Sequence, residues 1–487
     1  MKLFIRTSLV WTIPMTVWAC LPGFGGTTSP NPAATCVISD GASMGAGAPV
    51  NLALTDPVLG DRVVRPRNRS EHLLARHLHG TLIHVDCTGR ALPSLAESWE
   101  ADHAGRTWTL VLRDDAHFWD GTRVTATDVV QGWRLTGAVA DGPVVTVVND
   151  RRVRVELDVP SAALPMFLAD SRFAVVRTGA DGELMGAGPY RPMTTATRNV
   201  MELVRSGGAT SADAHLRFRL APELDGRRIL DEGTDFLLTT DPPVWEYAHG
   251  RAGFRVFPLE WDRTYLLMSP LRTGATGGIA GGVTPGAVTG RFRAGLAQDA
   301  VRADARAAVP PHWWDDMGAC RVASVPEQPS IDLRPGVPRV VFRRSDRTSK
   351  DLAERLVALL GEAAIGTDTE ATLSLVIPEL LAAEAQVIAV GLTERDFDDA
   401  LRRGNEFAYV TAVARQPLAA CWEARSLVES APWLVAGASP NAPADPHRAF
   451  AHALVPLVDT RPYLILRTGD PVAVTVAWDG VPHVGRR

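Results

Sequence analysis

Residues Leu95–Val130 read LAESWEADHAGRTWTLVLRDDAHFWDGTRVTATDVV. Within them TWTLVL alternates. Trp108, Leu110 and Leu112 fall on one face and Thr107, Thr109 and Val111 on the other, the period of a half-buried strand. Asp120-Gly121 is a turn dipeptide. Thr125-x-x-Asp128 is a capping-box-like start for a helix that carries Val129, Val130 and Trp133 inward. His117 with Asp114, Asp115, Asp120 and Asp128 invites a metal or acid–base reading, yet strand, turn and cap use most of them. As a local unit the stretch is architecture.

The chain has 487 residues, too many for one ordinary core, and this length predicts two to three domains. An apolar share of 46% and a charged share of 22% are those of a globular protein. A formal net charge of −5 argues against a general nucleic-acid binder, which shows a basic face. Lysine occurs only at Lys2 and Lys350, so no Walker-type GK[ST] loop is present. Strand-like runs (VNLAL, TWTLVL, VRVEL, FRVFPL, RVVF) alternate with helix-like ones (HLLARHL, DLAERLVALLGEA, RDFDDALRRG), which predicts an α/β protein.

The N-terminus, MKLFIRTSLVWTIPMTVWAC, carries Lys2 and Arg6, then an apolar run from Leu9 to Ala19, then Cys20. The run is shorter than the roughly 20 residues a spanning helix needs and suits a signal-peptide core. Val17-Trp18-Ala19-Cys20 resembles a bacterial lipobox, which would make Cys20 the lipidated first residue of the mature chain. An ordinary secretory signal with Cys20 incidental is the other reading, and both export the protein. Residues 20–49 shift to Gly, Pro, Ser, Thr, Asn and Ala and are expected to form a flexible tether. Inside lies Gly41-Ala42-Ser43-Met44-Gly45, a formal GxSxG match without the core strand and helix that a nucleophile elbow needs, so Ser43 is expected to be inert. Cysteines stand at 20, 36, 87, 320 and 421 with no CxxC pair. Which of them pair, and whether any do, is open. His312 with Asp315 and Asp316 would need a further metal ligand from elsewhere, and a turn with packed tryptophans accounts for them equally. No metal and no cofactor is expected.

Leu95–Trp99, Leu112-Arg113, Phe118–Gly121 and Thr125–Val129 together resemble the landmarks of the family 5 extracellular solute-binding proteins. These are the oligopeptide-, dipeptide- and nickel-binding components of bacterial ABC importers. Gly186-Ala187-Gly188-Pro189-Tyr190 is similar to the family's G-T-G-P-Y, and Gly233-Thr234-Asp235-Phe236 to its G-x-x-D strand. The resemblance implies a two-lobed, hinge-closing α/β fold of the type II periplasmic-binding-protein kind, with an extra structural subdomain in the first lobe. The implied division is a signal peptide at 1–19, the tether at 20–49, lobe 1 from 50–75, 185–258 and 450–487, the subdomain at 76–184, and lobe 2 at 259–449. The implied function is to trap a short peptide or similar small polar solute and present it to membrane permease subunits, without catalysis. In this picture His117 and Asp120 belong to turn architecture away from the ligand.

Past residue 260 the pattern loosens. The interlobe strand Tyr265–Ser269 has Ser where the family carries Asn, and Arg293–Arg302 matches its helix loosely. Peptide binders of the family carry an Asp-rich run after the helix that RDFDDALRRG resembles. Here Glu406–Arg425 reads EFAYVTAVARQPLAACWEAR, with no Asp. An ammonium buried without a carboxylate is strongly penalised, so peptide recognition of that sort is in doubt. Asp241, Glu406 and Glu423 are the carboxylates considered as substitutes. Ligands of open α/β sheets sit at the carboxyl ends of strands. On that basis Thr239, Thr240 and Asp241 are expected contacts, with Tyr265 and Ser269 on the interlobe strand, and the resemblance implies Tyr409 and Arg415, which lie where the family's second-lobe ligand segment would fall. Two other readings stay open: a structural or interaction lipoprotein that kept the fold, and a metal-chelate or haem receptor. His72, His77, His79 and His84 follow helix and strand faces without clear ligand spacing.

Replacing the candidate lipidation site, Cys20→Ser, is expected to release the protein from the membrane fraction or leave it unprocessed. Fractionation with N-terminal sequencing checks this, and a membrane-bound, correctly cleaved variant would sink the lipobox reading.

Overall fold

The computed structural model describes residues 36–40, 49–58, 64–66, 68–139, 143–157, 160–162, 164–179, 182–193, 199–206, 216–268, 294–301, 305–309, 339–363, 387–415, 427, 430, 431, 433, 454–469 and 473–485. Cys20, Ser43, Ser269, His312, Cys320, Cys421 and Glu423 lie outside them. Among the described residues no helix is long and apolar enough to cross a membrane.

Lobe 1 is built on a seven-stranded sheet. Its order is Tyr190–Pro192, Val200–Arg205, Leu216–Leu220, Val50–Leu54, Phe236–Thr239, Tyr463–Arg467 and Phe254–Pro258. The three middle strands Leu216–Leu220, Val50–Leu54 and Phe236–Thr239 run parallel, so helices cover both faces. The alternation of VNLAL serves this directly. Val50, Leu52 and Leu54 pack with Leu73, Leu74 and Leu78 of the helix Arg69–Leu78, while Ala53 faces Ile229, Val244 and Ala248 on the other side.

A four-stranded antiparallel sheet, Ala96–Ala101, Thr107–Leu112, Arg152–Glu156 and Val144–Asn149, forms the subdomain. Trp108, Leu110 and Leu112 point into its core as their spacing requires, with Val129, Val130 and Trp133 opposite. Both halves of the Thr125–Asp128 capping box are present at the helix Ala126–Thr136, and Gly121 turns with φ +81°. The glycines of Gly186-Ala187-Gly188 have a steric reason. A Cβ on Gly188 would lie 2.4 Å from the Leu78 carbonyl oxygen, and one on Gly186 2.6 Å from the Trp119 ring. That run is where the subdomain presses on the end of the lobe 1 helix.

Lobe 2 holds a six-stranded sheet ordered Ala305–Ala307, Leu454–Thr460, Arg263–Met268, Ala408–Ala414, Arg339–Arg343 and Ile388–Leu392. The helix Arg347–Ala363 packs Leu352, Leu356 and Leu359 against one face. The helix Glu394–Arg403 sends Phe397 to the other, where its ring meets Tyr409 edge-on. The chain passes from one large sheet to the other between Pro258 and Arg263, and returns between Thr460 and Tyr463.

Three expected boundaries need correcting. Lobe 1 does not resume at 450, because Leu454–Thr460 pairs antiparallel with Arg263–Met268 inside the lobe 2 sheet. The first lobe 1 segment does not stop at 75, because the helix runs to Leu78 and buries that residue in the lobe 1 core. The tether does not occupy all of 20–49: Val37–Asp40 pairs with Ala473–Val476, which in turn pairs with Pro482–Gly485. Beside this strand Cys36 is joined to Cys87 across 51 residues of sequence.

Removing that crosslink (Cys36→Ser with Cys87→Ser) is expected to lower stability by up to about 4 kcal/mol, the chain-entropy figure for a loop of this length. Equilibrium denaturation with and without reductant measures it, and coincident curves would show that the crosslink stabilises nothing.

Candidate ligand cleft

The cleft lies where the two large sheets face one another, with a volume of about 1010 Å³. Lobe 1 supplies the segments just past two parallel strands, Thr55-Asp56 and Thr239–Asp241, together with the first turn of the helix Arg69–Leu78. Lobe 2 supplies Ser345–Thr348 after the strand Arg339–Arg343, and Thr411–Val413. The crossing strand adds Arg263 and Tyr265, and the subdomain adds Asp170–Arg172. Residues at the carboxyl ends of parallel strands carry loop freedom on a rigid base, which is why clefts open there.

A salt bridge braces the lobe 1 side of the crossing. Arg69 Nε and Nη2 donate to the two Asp262 oxygens at 2.9 and 2.8 Å. Burial works to lower the Arg69 pKa, but the charge and hydrogen bonds of Asp262 outweigh it and hold the guanidinium firmly protonated. The Leu259 N–H donates to the Pro462 carbonyl at 3.0 Å and the Asp262 N–H to the Thr460 carbonyl at 3.2 Å, tying the outgoing and returning chains together. On the lobe 2 side, Tyr265 donates its hydroxyl to Asp346 at 3.2 Å. Asp346 also accepts from the Ser349 hydroxyl and N–H at the start of the helix Arg347–Ala363. Burial first, then the Asp346 charge, raises the Tyr265 pKa well above its usual range, so the phenol stays neutral.

The cleft's electrostatics are mostly settled within each lobe. Asp56 accepts from Ser70. Arg343 binds Glu394 and Asp398 at 2.9 and 2.7 Å. Arg355 holds Asp299. His72 is kept neutral: desolvation, followed by Arg263, Arg76 and Arg172, lowers its pKa to about 3. Desolvation likewise raises the pKa of Asp170 despite Arg172. Asp241 differs from the others. Its Oδ1 accepts from Arg347 Nη1 at 2.8 Å, across the opening between lobes.

Of the residues expected at the site, Thr239, Thr240, Asp241 and Tyr265 line the cleft. Ser269 is outside the described residues. Tyr409 is a correction. It is fully buried in lobe 2, where its hydroxyl donates to the Ala400 carbonyl at 2.8 Å and its ring stacks on Trp433. It shares a strand face with Thr411 and Val413, but at its position Phe397 of the helix Glu394–Arg403 and Trp433 cover that face. Arg415 is a second correction, because it is drawn to the buried Asp459 at 2.6 Å and to the Val309 carbonyl. Glu406 is also spent, held by Arg339 through both oxygens. Sequence reasoning missed Arg69, His72, Arg347 and the Thr55-Asp56 pair. The strand-end rule that found Thr239–Asp241 would have reached Thr55 and Arg347 had it been applied to VNLAL and RVVFR.

Comparison with known proteins bears on this arrangement. Residues 90–207 match the family model described as bacterial extracellular solute-binding proteins, family 5 middle. The fold matches solved structures along nearly its whole length. The Escherichia coli murein tripeptide binding protein MppA aligns at a TM-score of 0.58 and 16% identity, covering 92% of this chain and all of that one. A dipeptide binding protein from Pseudoalteromonas sp. SM9913 in complex with Met-Leu aligns at 0.62 and 11%, covering 90% and 100%. The chain thus shares the fold of these binding proteins, and its residues 90–207 are similar to the middle segment of family 5 solute-binding proteins. The two-lobed α/β fold expected from the sequence is thereby borne out. Sequence similarity to curated relatives is local. The periplasmic oligopeptide-binding protein OppA of Escherichia coli is 42% identical over 13% of this chain and 12% of its own length. Its periplasmic murein peptide-binding protein MppA is 30% identical over 24% and 28%. The matched stretches therefore span less than a third of those relatives.

Tyr409→Phe is expected to cost about 1–3 kcal/mol, since the Ala400 carbonyl and Glu406 N–H lose a buried partner. Ligand affinity should not change. Denaturation and titration of the same variant check both halves, and a selective loss of affinity would return Tyr409 to the site.

Proposed function

We propose that this protein is an exported solute receptor of an ABC importer, lipid-anchored through Cys20 and facing the periplasm or cell exterior. It traps a short peptide or similarly sized polar solute between its lobes and presents the closed form to permease subunits. The observation that carries this reading is the cleft itself: about 1010 Å³, lined from both lobes and spanned by two adjacent chain crossings. That volume is at the upper end for small-ligand sites and suits a peptide of a few residues. Thr239, Thr240, Asp241 and Tyr265 are the proposed contacts.

A ligand touching both lobes stabilises the closed form by its differential affinity for that state, and hinge closure is the motion of periplasmic binding proteins. Nothing in this cycle needs a bond to break, and the relatives named above are binding proteins rather than enzymes. Among the described residues no cluster of His, Cys, Asp and Glu is arranged to hold a metal ion.

A thermal-shift screen of peptides, amino acids, sugars and metal chelates tests the proposal. A true ligand at a hundredfold excess over Kd adds about 2.7 kcal/mol, a shift of several degrees. A screen without any stabilising compound would favour a structural lipoprotein.

A further inference from the structure

We propose that Asp241 is the cation-reading group of the cleft and that Arg347 is its resident stand-in, displaced when a ligand ammonium arrives. The inference deepens the receptor reading and rests on it. Asp241 occupies the N-cap position of the helix Pro242–His249, where an aspartate normally turns its carboxylate onto the next N–H groups. Here it makes no such bond: Pro242 and Pro243 have no N–H to offer, and the Val244 N–H donates to the Asp241 backbone carbonyl at 3.0 Å instead. Its own N–H is occupied by the Thr239 hydroxyl at 3.0 Å. The carboxylate is left to face the cleft.

Arg347 fills the place a ligand cation would take. It reaches over from the other lobe with its side chain 66% exposed, against 31% for Asp241. A pair so open to water is a weak one, which makes it easy to exchange. Displacement also leaves no stranded charge, because Asp351 stands one helical turn away, 3.8 Å from Arg347 Nε. Neighbouring cleft carboxylates are less available. Glu394 and Asp398 are bound by Arg343, and Asp346 by Tyr265 and Ser349. An aspartate at the end of a lobe 1 strand would thus stand in for the aspartate that Glu406–Arg425 lacks. Desolvation already raises the Asp241 pKa, with Arg347 opposing it, as expected of a carboxylate short of partners.

Calorimetry on wild type, Asp241→Asn and Arg347→Gln tests the inference with three probes. These are a pool of di- to pentapeptides lacking Lys and Arg, the same pool N-acetylated, and spermidine. The expected result is binding of the free peptides or spermidine to wild type, weakened at least tenfold by Asp241→Asn and strengthened several-fold by Arg347→Gln. Binding lost on acetylation identifies a peptide ammonium, and binding confined to spermidine a polyamine. Neither substitution removes a capping bond or a core contact, and circular dichroism confirms that both fold. Unchanged affinity in Asp241→Asn overturns the proposal, as does weakened binding in Arg347→Gln. If no cationic probe binds while neutral or anionic solutes give shifts in the thermal screen, this proposal fails and the receptor reading stands. If nothing binds in either assay, both fail.

Discussion

The cleft depends on one constraint: the polypeptide crosses between its two large sheets at adjacent points and in opposite directions. Phe254–Pro258 pairs with Tyr463–Arg467 in lobe 1, and their continuations Arg263–Met268 and Leu454–Thr460 pair in lobe 2. Two neighbouring strands bend together more easily than they shear apart, because their mutual hydrogen bonds fix the register. Backbone bonds from Leu259 to Pro462 and from Asp262 to Thr460 carry that pairing through the bend. A shift in register between Tyr265 and Leu266 then re-aims the strand as it enters lobe 2. The Arg69–Asp262 bridge adds the lobe 1 helix to the same point, so the hinge is held from the side that also lines the cleft.

The remaining architecture supports this opening. Parallel strands end at the cleft, and the loops leaving them carry Asp56, Asp241 and Arg347. Charges near the ligand space are mostly paired within their own lobe, so closure need not leave carboxylates unpartnered. That matters because an unpaired buried charge would oppose closure by several kcal/mol. The subdomain contributes the Asp170–Arg172 edge and meets lobe 1 at the narrow Gly186–Gly188 contact with Leu78 and Trp119, among other places.

Much of this was legible in the sequence, and the failures have identifiable causes. TWTLVL, VNLAL and HLLARHL state which residues are buried because their periods are strict, and the structure buries those faces. The glycines of Gly186–Gly188 were recognisable as a landmark, while their cause, the approach of the Leu78 carbonyl, required coordinates. Tyr409 shows the limit. Period 2 divides a strand into two faces, but Ala408–Ala414 is buried on both, so nothing in the pattern says which face meets the ligand. Arg415 fell to a long-range partner, Asp459, which lies 44 residues further along the chain. The Cys36–Cys87 pairing was open for the same reason: spacing does not report which loops are neighbours.

The crosslink has a mechanical meaning as well. If lipid holds Cys20, any pull from the membrane travels along the chain to Cys36 and there divides. One branch enters the Val37–Asp40 strand and the C-terminal sheet, and the other passes through the sulfur bridge into the turn that carries Cys87. Neither branch runs through the pair of strands that bends. Sixteen residues of contour from 20 to 36 reach at most about 55 Å, which would bound the distance from such an anchor to Cys36. On that proposed anchorage, load would enter through the Val37–Asp40 strand and the Cys87 turn and leave the crossing between the two large sheets aside.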